Sequence, residues 1–279
     1  MIRPILFLSL ALTCSLHAAA PASLSLPGLK TDIEFAKAGD VSLTLDAFVP
    51  EGPGPFATCI LVHGGGFTKG DKQTFIKPLF EPLAKAGFTW FSINYRLAPQ
   101  HQWPACERDV ETAVRWVKQH AAEYKVDPAR IALIGESAGG HLVSLAGEEL
   151  TGTDALAAVV PFYGPHDLTL QVKKRNAMGG LGDLIGMKDV TEASMQKLRE
   201  ISPSTHVHAG MPPYLLIHGD ADTTVPFEQS TLFQKQLREA GNVCDLITVP
   251  GGIHGMGGWD KLKSDYRDQL IAWLRKTLK

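Results

Sequence analysis

The sequence predicts a three-layer α/β fold with a mostly parallel central sheet and an antiparallel hairpin at its N-terminal end. Three observations carry that expectation: short apolar runs recur along the chain, helical stripes separate them, and an early pair of alternating segments meets at a glycine turn. Short apolar runs read as strands buried on both faces, and their alternation with helices is the pattern of a parallel sheet.

Taken in order, Ile33 to Phe35 and Val41 to Val49 flank Ala38-Gly39-Asp40, which predicts the hairpin. Six further strands are expected at Ala57 to Val62, Phe88 to Tyr95, Arg130 to Ile134, Leu156 to Phe162, Tyr214 to Ile217 and Val243 to Val249. Between Ala105 and Ala121, the residues Val110, Ala113, Val114 and Val117 recur at three- and four-residue steps and form one apolar helical stripe. Leu262, Tyr266, Leu270, Trp273, Leu274 and Leu278 do the same near the C-terminus. The connection from Gly164 to Pro213 is too long for a simple crossover. It carries Gly179-Gly180, Gly182 and Gly186, then a helix expected around Val190 to Glu200, and residues 165–212 form a candidate small cap insertion.

The 279 residues are 44% hydrophobic and 20% charged, with a formal net charge of −2, which is enough apolar material for one substantial core. No dense Lys/Arg block marks a nucleic-acid partner. Repeats and low-complexity linkers are absent. Residues 1–20 read as a cleavable secretory signal, with Arg3, an apolar stretch from Ile5 to Leu16, and Ala18-Ala19-Ala20 at the end. That stretch falls short of the roughly 20 residues of a membrane span. The expectation is a secreted or periplasmic protein, without stable membrane insertion after cleavage, whose residues 21–279 form one catalytic domain. Cys59, Cys106 and Cys244 then remain, an odd number that leaves at least one free thiol unless chains pair. Cys59 and Cys244 lie in apolar runs and read as buried hydrophobes.

The chemistry centres on IALIGESAGG at 131–140. Gly135-Glu136-Ser137-Ala138-Gly139 matches G-x-S-x-G between a strand and a helix, the junction that exposes a serine above the sheet edge. The helix starting there aims backbone N–H groups and a partial positive charge at a developing oxyanion. A serine needs a base, and His254 stands in the glycine-rich PGGIHGMGG after the last expected strand. The base needs a carboxylate, and HGDADTTVP offers Asp220 and Asp222. Asp222 is the choice, because Asp220 lies nearer the strand end and can cap the turn. His63-Gly64-Gly65-Gly66 follows the strand Ala57 to Val62, so the N–H groups of Gly65, Gly66 and Ala138 are the candidate oxyanion donors.

HGGGF at 63–67, YRLAP at 95–99, GESAGG at 135–140 and HGDAD at 218–222 resemble the hormone-sensitive-lipase-type esterases of the α/β-hydrolase superfamily. Within it the chain is most similar to small secreted bacterial esterases, including acetylxylan- and feruloyl-esterase-like members, over about residues 33–275. The resemblance implies the α/β-hydrolase fold, Ser137 as nucleophile, Asp222 as acid and His254 as base, with no cofactor and no metal. It also implies Gly65, Gly66 and Ala138 as oxyanion donors. His63 and Tyr95-Arg96 are expected to support the glycine loop. Glu136 replaces the more usual Asp before the serine, and Gln100 stands where Glu is common; both lie outside the reacting groups. An N-terminal helical cap is missing from the pattern, which points to an open site and short or polymer-attached acyl groups.

The expected function is hydrolysis of short acyl esters, including acetyl or feruloyl groups on plant polysaccharide, with a small ester or acylated oligosaccharide as partner. Two alternatives stay open. HGGGFTKGDK also resembles kynurenine formamidases, and peptidases share the elbow, so an amide hydrolase is one. A non-catalytic hydrolase-fold binding protein is the other. The oligomeric state has no sequence signal. Among weaker features, His206-Val207-His208 reads as a polar loop rather than a metal site. Asp167 either lines the cleft or caps the following turn. His141 is expected to pack in the core, and Trp103 and Phe67 are either substrate platforms or core aromatics.

Overall fold

The computed structural model describes residues 26–279, so the expected signal segment and Cys14 lie outside the described residues. Eight strands form one sheet in the order β1-β2-β4-β3-β5-β6-β7-β8. They are β1 (Leu29–Ala38), β2 (Val41–Phe48), β3 (Phe56–Val62), β4 (Thr89–Ile93), β5 (Val126–Glu136), β6 (Ala158–Phe162), β7 (Tyr214–Gly219) and β8 (Cys244–Val249). The helices are α1 (Phe80–Lys85), α2 (Ala105–Gln119), α3 (Ala138–Glu149), α4 (Leu168–Arg175), α5 (Gly180–Ile185), α6 (Glu192–Glu200), α7 (Glu228–Glu239), α8 (Trp259–Leu262) and α9 (Tyr266–Thr277).

The hairpin β1–β2 is antiparallel and joins the sheet through an antiparallel β2–β4 pairing. From β4 onward every pairing is parallel. This is the sheet the apolar runs imply, and β4, β6 and β7 are buried on both faces, while the edge strand β8 is only partly covered. Alternation within a strand sends neighbours to opposite layers. Ile131 and Leu133 pack into one core with Val110 and Val114 of α2 and Val143 of α3. Ala132 and Ile134 pack into the other with Phe80 of α1 and Leu270 of α9. Burying each such large apolar side chain contributes about 1.5–3 kcal/mol.

The structure differs from the sequence reading at several boundaries, and β4 and β6 are shorter than expected, at Thr89–Ile93 and Ala158–Phe162. β1 and β5 begin earlier than expected, at Leu29 and Val126. The C-terminal stripe is broken: Leu262 ends the short α8 and is half exposed, and α9 starts only at Tyr266. Residues 165–212 hold three α-helices rather than one, because α4 and α5 join the expected α6. α4 and α5 are short, and α5 carries glycines of low helix propensity, so neither shows a periodic stripe. Cys59, Cys106 and Cys244 are all buried and free, and burial pushes the Cys106 and Cys244 thiols up to about 12. No helix among the described residues is long and apolar enough to cross a membrane.

Candidate active site

Because β3, β5, β7 and β8 run parallel, their carboxyl ends emerge on one edge of the sheet. The four segments singled out in the sequence follow those ends. β5 stops at Glu136 and α3 begins at Ala138, so Ser137 alone makes the turn, at φ 54° and ψ −117°. A non-glycine residue at positive φ is strained and persists only where its surroundings hold it. Here the Ser137 N–H donates to the Phe162 carbonyl at 2.9 Å, and the His141 N–H donates to the Ser137 carbonyl at 3.1 Å. A Cβ on Gly139 would lie 2.3 Å from the Val62 carbonyl oxygen, so only glycine lets α3 approach β3 this closely.

The Ser137 hydroxyl lies 2.9 Å from His254 Nε2. On the ring's other side, His254 Nδ1 lies 2.6 Å from Asp222 Oδ2. The second carboxylate oxygen, Oδ1, accepts the Thr224 and Val225 N–H groups at 2.8 and 2.9 Å, which fixes the carboxylate plane. Burial alone would raise the Asp222 pKa, but hydrogen bonding to His218 and His254 and the proximity of the His254 charge hold it below the usual carboxylate range. Asp220 lies outside this chain of contacts and accepts the Gly251 N–H, as its position nearer the strand end suggested.

Gly66 and Ala138 line a cavity of about 60 Å³ together with Ser137, Phe67, Leu181 and Val225. Gly65, named with them, is not part of that lining; its carbonyl accepts the Thr68 and Lys69 N–H groups at 3.2 Å and closes the loop's turn. Among the described residues, no backbone acceptor outside helices and strands takes the N–H of Gly65, Gly66 or Ala138. His63 is fully buried, stacks on Tyr95 at 4.3 Å, and donates from Nδ1 to the Gly64 carbonyl at 2.7 Å. Burial holds His63 down to about 4, so its ring is neutral at ordinary pH. The Tyr95 hydroxyl donates to the His63 carbonyl at 3.0 Å, while Arg96 forms a paired contact with Asp109 of α2 at 2.7 and 2.9 Å. His63 and Tyr95 thus hold the glycine loop, as expected, whereas Arg96, expected to help, ties its strand end to α2 instead.

Glu136 has a larger structural part than the sequence reading gave it. Its carboxyl accepts the Gly64 N–H, tying the serine turn to the glycine loop. Burial raises its pKa to about 7, against the lowering influence of the Gly64 N–H, Tyr163 and His254. Tyr163, also unassigned from sequence, presents its ring to His254 at 4.8 Å. His218 braces the Asp222 loop, donating from Nε2 to the Val225 carbonyl at 3.0 Å. Its place in HGDAD was the available signal. Gln171 and Arg175 also line the cavity, and nothing in their sequence neighbourhood marks them.

The weaker candidates resolve individually. Asp167 is the N-cap of α4, accepting the Thr169 and Leu170 N–H groups at 2.8 and 3.0 Å. His141 is fully buried and bonds the Ile201 carbonyl through Nε2 at 2.7 Å. His206 and His208 each meet a backbone carbonyl through Nε2, on Glu200 and Glu148 respectively. Phe67 is a buried core aromatic that also borders the cavity, and Trp103 packs against the same core.

Comparison with known proteins agrees with this geometry. Residues 45–237 match the BD-FAE family model. The chain is 40% identical over 191 residues to a probable carboxylic ester hydrolase, LipM, of Mycobacterium tuberculosis, covering 64% of this chain and 44% of that protein. It is 34% identical to the esterase LipQ of the same organism, covering 76% of this chain and 52% of the relative. The chain thus spans about half the length of these curated relatives. Among solved structures, a truncated carbohydrate esterase from gut microbiota superposes with a TM-score of 0.79 at 29% identity, covering 92% of this chain and 98% of that one.

Proposed function

The chain belongs to the BD-FAE family of α/β-hydrolase esterases, and from that premise and the site's geometry we propose that it is a serine carboxylic ester hydrolase working through an acyl-enzyme on Ser137. The observation that carries the reading is the continuous contact from Ser137 Oγ to His254 to Asp222, at 2.9 and 2.6 Å.

In this reading Ser137 Oγ attacks the ester carbonyl while His254 Nε2 takes its proton. Asp222 keeps the ring's Nδ1 protonated and stabilises the imidazolium that forms. The N–H groups of Gly65, Gly66 and Ala138 receive the oxyanion, each worth roughly 3 kcal/mol to the transition state. His254 then passes its proton to the leaving alkoxide, which departs as the alcohol. A water molecule, deprotonated by the same ring, attacks the acyl-enzyme, and the acid leaves as Ser137 regains its proton.

The substrates we propose are short acyl esters, among them acetyl or feruloyl groups on plant polysaccharide. The small cavity beside the serine supports a small seated group. The likeness to a carbohydrate esterase supports a sugar-borne ester. Export through residues 1–20, to the periplasm or beyond the cell, belongs to the same proposal. The test measures acid release from acetylated, feruloylated xylan oligosaccharides beside p-nitrophenyl acetate. Release from the oligosaccharide at rates near the model ester is the expected result. Faster cleavage of N-formylkynurenine than of any ester would contradict it.

A further inference from the structure

The cavity beside Ser137 is largely apolar, but the wall supplied by α4 is not. Gln171 and Arg175 stand four residues apart on that helix, so their side chains share one face. Both line the cavity that Ser137 and Ala138 also line. Gln171 is only 2% exposed, whereas Arg175 sits at the exposed rim. Gln171 Nε2 donates to the Thr224 carbonyl at 2.6 Å, and Arg175 Nη2 donates to the same carbonyl at 2.7 Å. A carbonyl acceptor demands the amide's NH₂ group, so this bond fixes which way the Gln171 amide points. It leaves Oε1 as a buried acceptor without a partner among the described residues.

A buried acceptor without a donor is destabilising, and a bound ligand can recover that cost by supplying one. Arg175 retains further N–H groups beyond the one engaged with Thr224. Both side chains are thus anchored on Thr224, Gln171 keeping one unpartnered acceptor and Arg175 its remaining donors. Anchored side chains hold a recognition geometry that loose ones do not.

Resting on the reading of this site as a serine esterase, we propose that Gln171 and Arg175 are specificity-determining residues that read a free hydroxyl beside the scissile ester. A hydroxyl satisfies both: its O–H donates to Gln171 Oε1, and its oxygen accepts from Arg175. A carboxylate suits Arg175 but sets negative charge against the Gln171 oxygen. A methyl group leaves both polar groups desolvated and unpaired. The favoured substrates are therefore partially acylated polyols and sugars with a free hydroxyl next to the ester, rather than esters of simple alcohols.

The test compares kcat/KM for 2-hydroxyethyl acetate and propyl acetate, which differ by OH against CH₃ at the same size, each referred to its hydroxide-catalysed rate. The wild type should prefer the hydroxylated ester by about tenfold or more. Gln171→Leu and Arg175→Met should each bring the ratio towards unity. The ratio is the readout because each substitution also removes one of the two donors to the Thr224 carbonyl, near Asp222, which slows the two esters alike. A wild-type ratio near unity, or one unchanged in both variants, overturns the proposal. p-Nitrophenyl acetate separates the failures. Its hydrolysis with a ratio near unity sinks the specificity pair alone, whereas no hydrolysis of any ester sinks the esterase reading and this one with it.

Discussion

Ser137 is held at positive φ by two backbone hydrogen bonds, with its hydroxyl 2.9 Å from the His254 ring. The ring in turn depends on Asp222, whose side chain is fully buried. Asp222→Asn should keep the fold but let the ring adopt the wrong tautomer, cutting kcat by about 10³–10⁴-fold in a p-nitrophenyl acetate assay. Glu136 offers a second check at this scale. Its carboxyl titrates at about 7 in the folded protein, above the ordinary 4.5. The folded state therefore binds the extra proton between those values, and Glu136 costs stability increasingly as pH rises through that window. Glu136→Gln retains an acceptor for the Gly64 N–H without that cost. Its melting temperature relative to wild type should rise from pH 4.5 to pH 7 and level off above; a difference independent of pH would contradict the assignment.

At the scale of elements, the close approach of α3 to β3 depends on Gly139. A Cβ there would meet the Val62 and His63 carbonyl oxygens at 2.3 and 2.5 Å, backbone atoms that cannot swing aside. Gly139→Ala should destabilise by about 1–3 kcal/mol and, by displacing the serine turn, lower kcat as well; thermal melts and turnover measure the two effects. α4 depends on its cap, since Asp167 accepts two N–H groups of the first turn. Asp167→Ala should cost about 1 kcal/mol in urea unfolding. Legibility followed the same physics. The stripe Val110, Ala113, Val114 and Val117 reads directly because α2 lies against one core along its length. α4 and α5 do not read, because short helices held by a cap and by neighbours carry no repeating pattern. The break before Tyr266 was hidden because Leu262 extends the apolar spacing without being buried.

Across the whole molecule, the parallel register of β3, β5, β7 and β8 delivers four distant segments to one edge. Ser137 and His254 are 117 residues apart in sequence, and His254 and Asp222 are 32 apart. Their order along the chain made this meeting legible, since each motif follows a strand of the same direction. The cavity wall was not legible. Gln171 and Arg175 acquire their place only when α4 folds back against Thr224, a contact no local pattern encodes. Glu136 shows an intermediate case, visible as the variable residue of G-x-S-x-G but assigned its bond to Gly64 only by the structure.

If Ser137 forms the acyl-enzyme, a reagent that traps activated serines must find it. The protein is treated with a fluorophosphonate probe, the labelled residue is located by peptide mass mapping, and esterase turnover is followed in parallel for wild type and Ser137→Ala. One adduct is expected, on Ser137, lost together with turnover in the variant. Full turnover in Ser137→Ala, or an adduct on another serine that tracks activity, would contradict it.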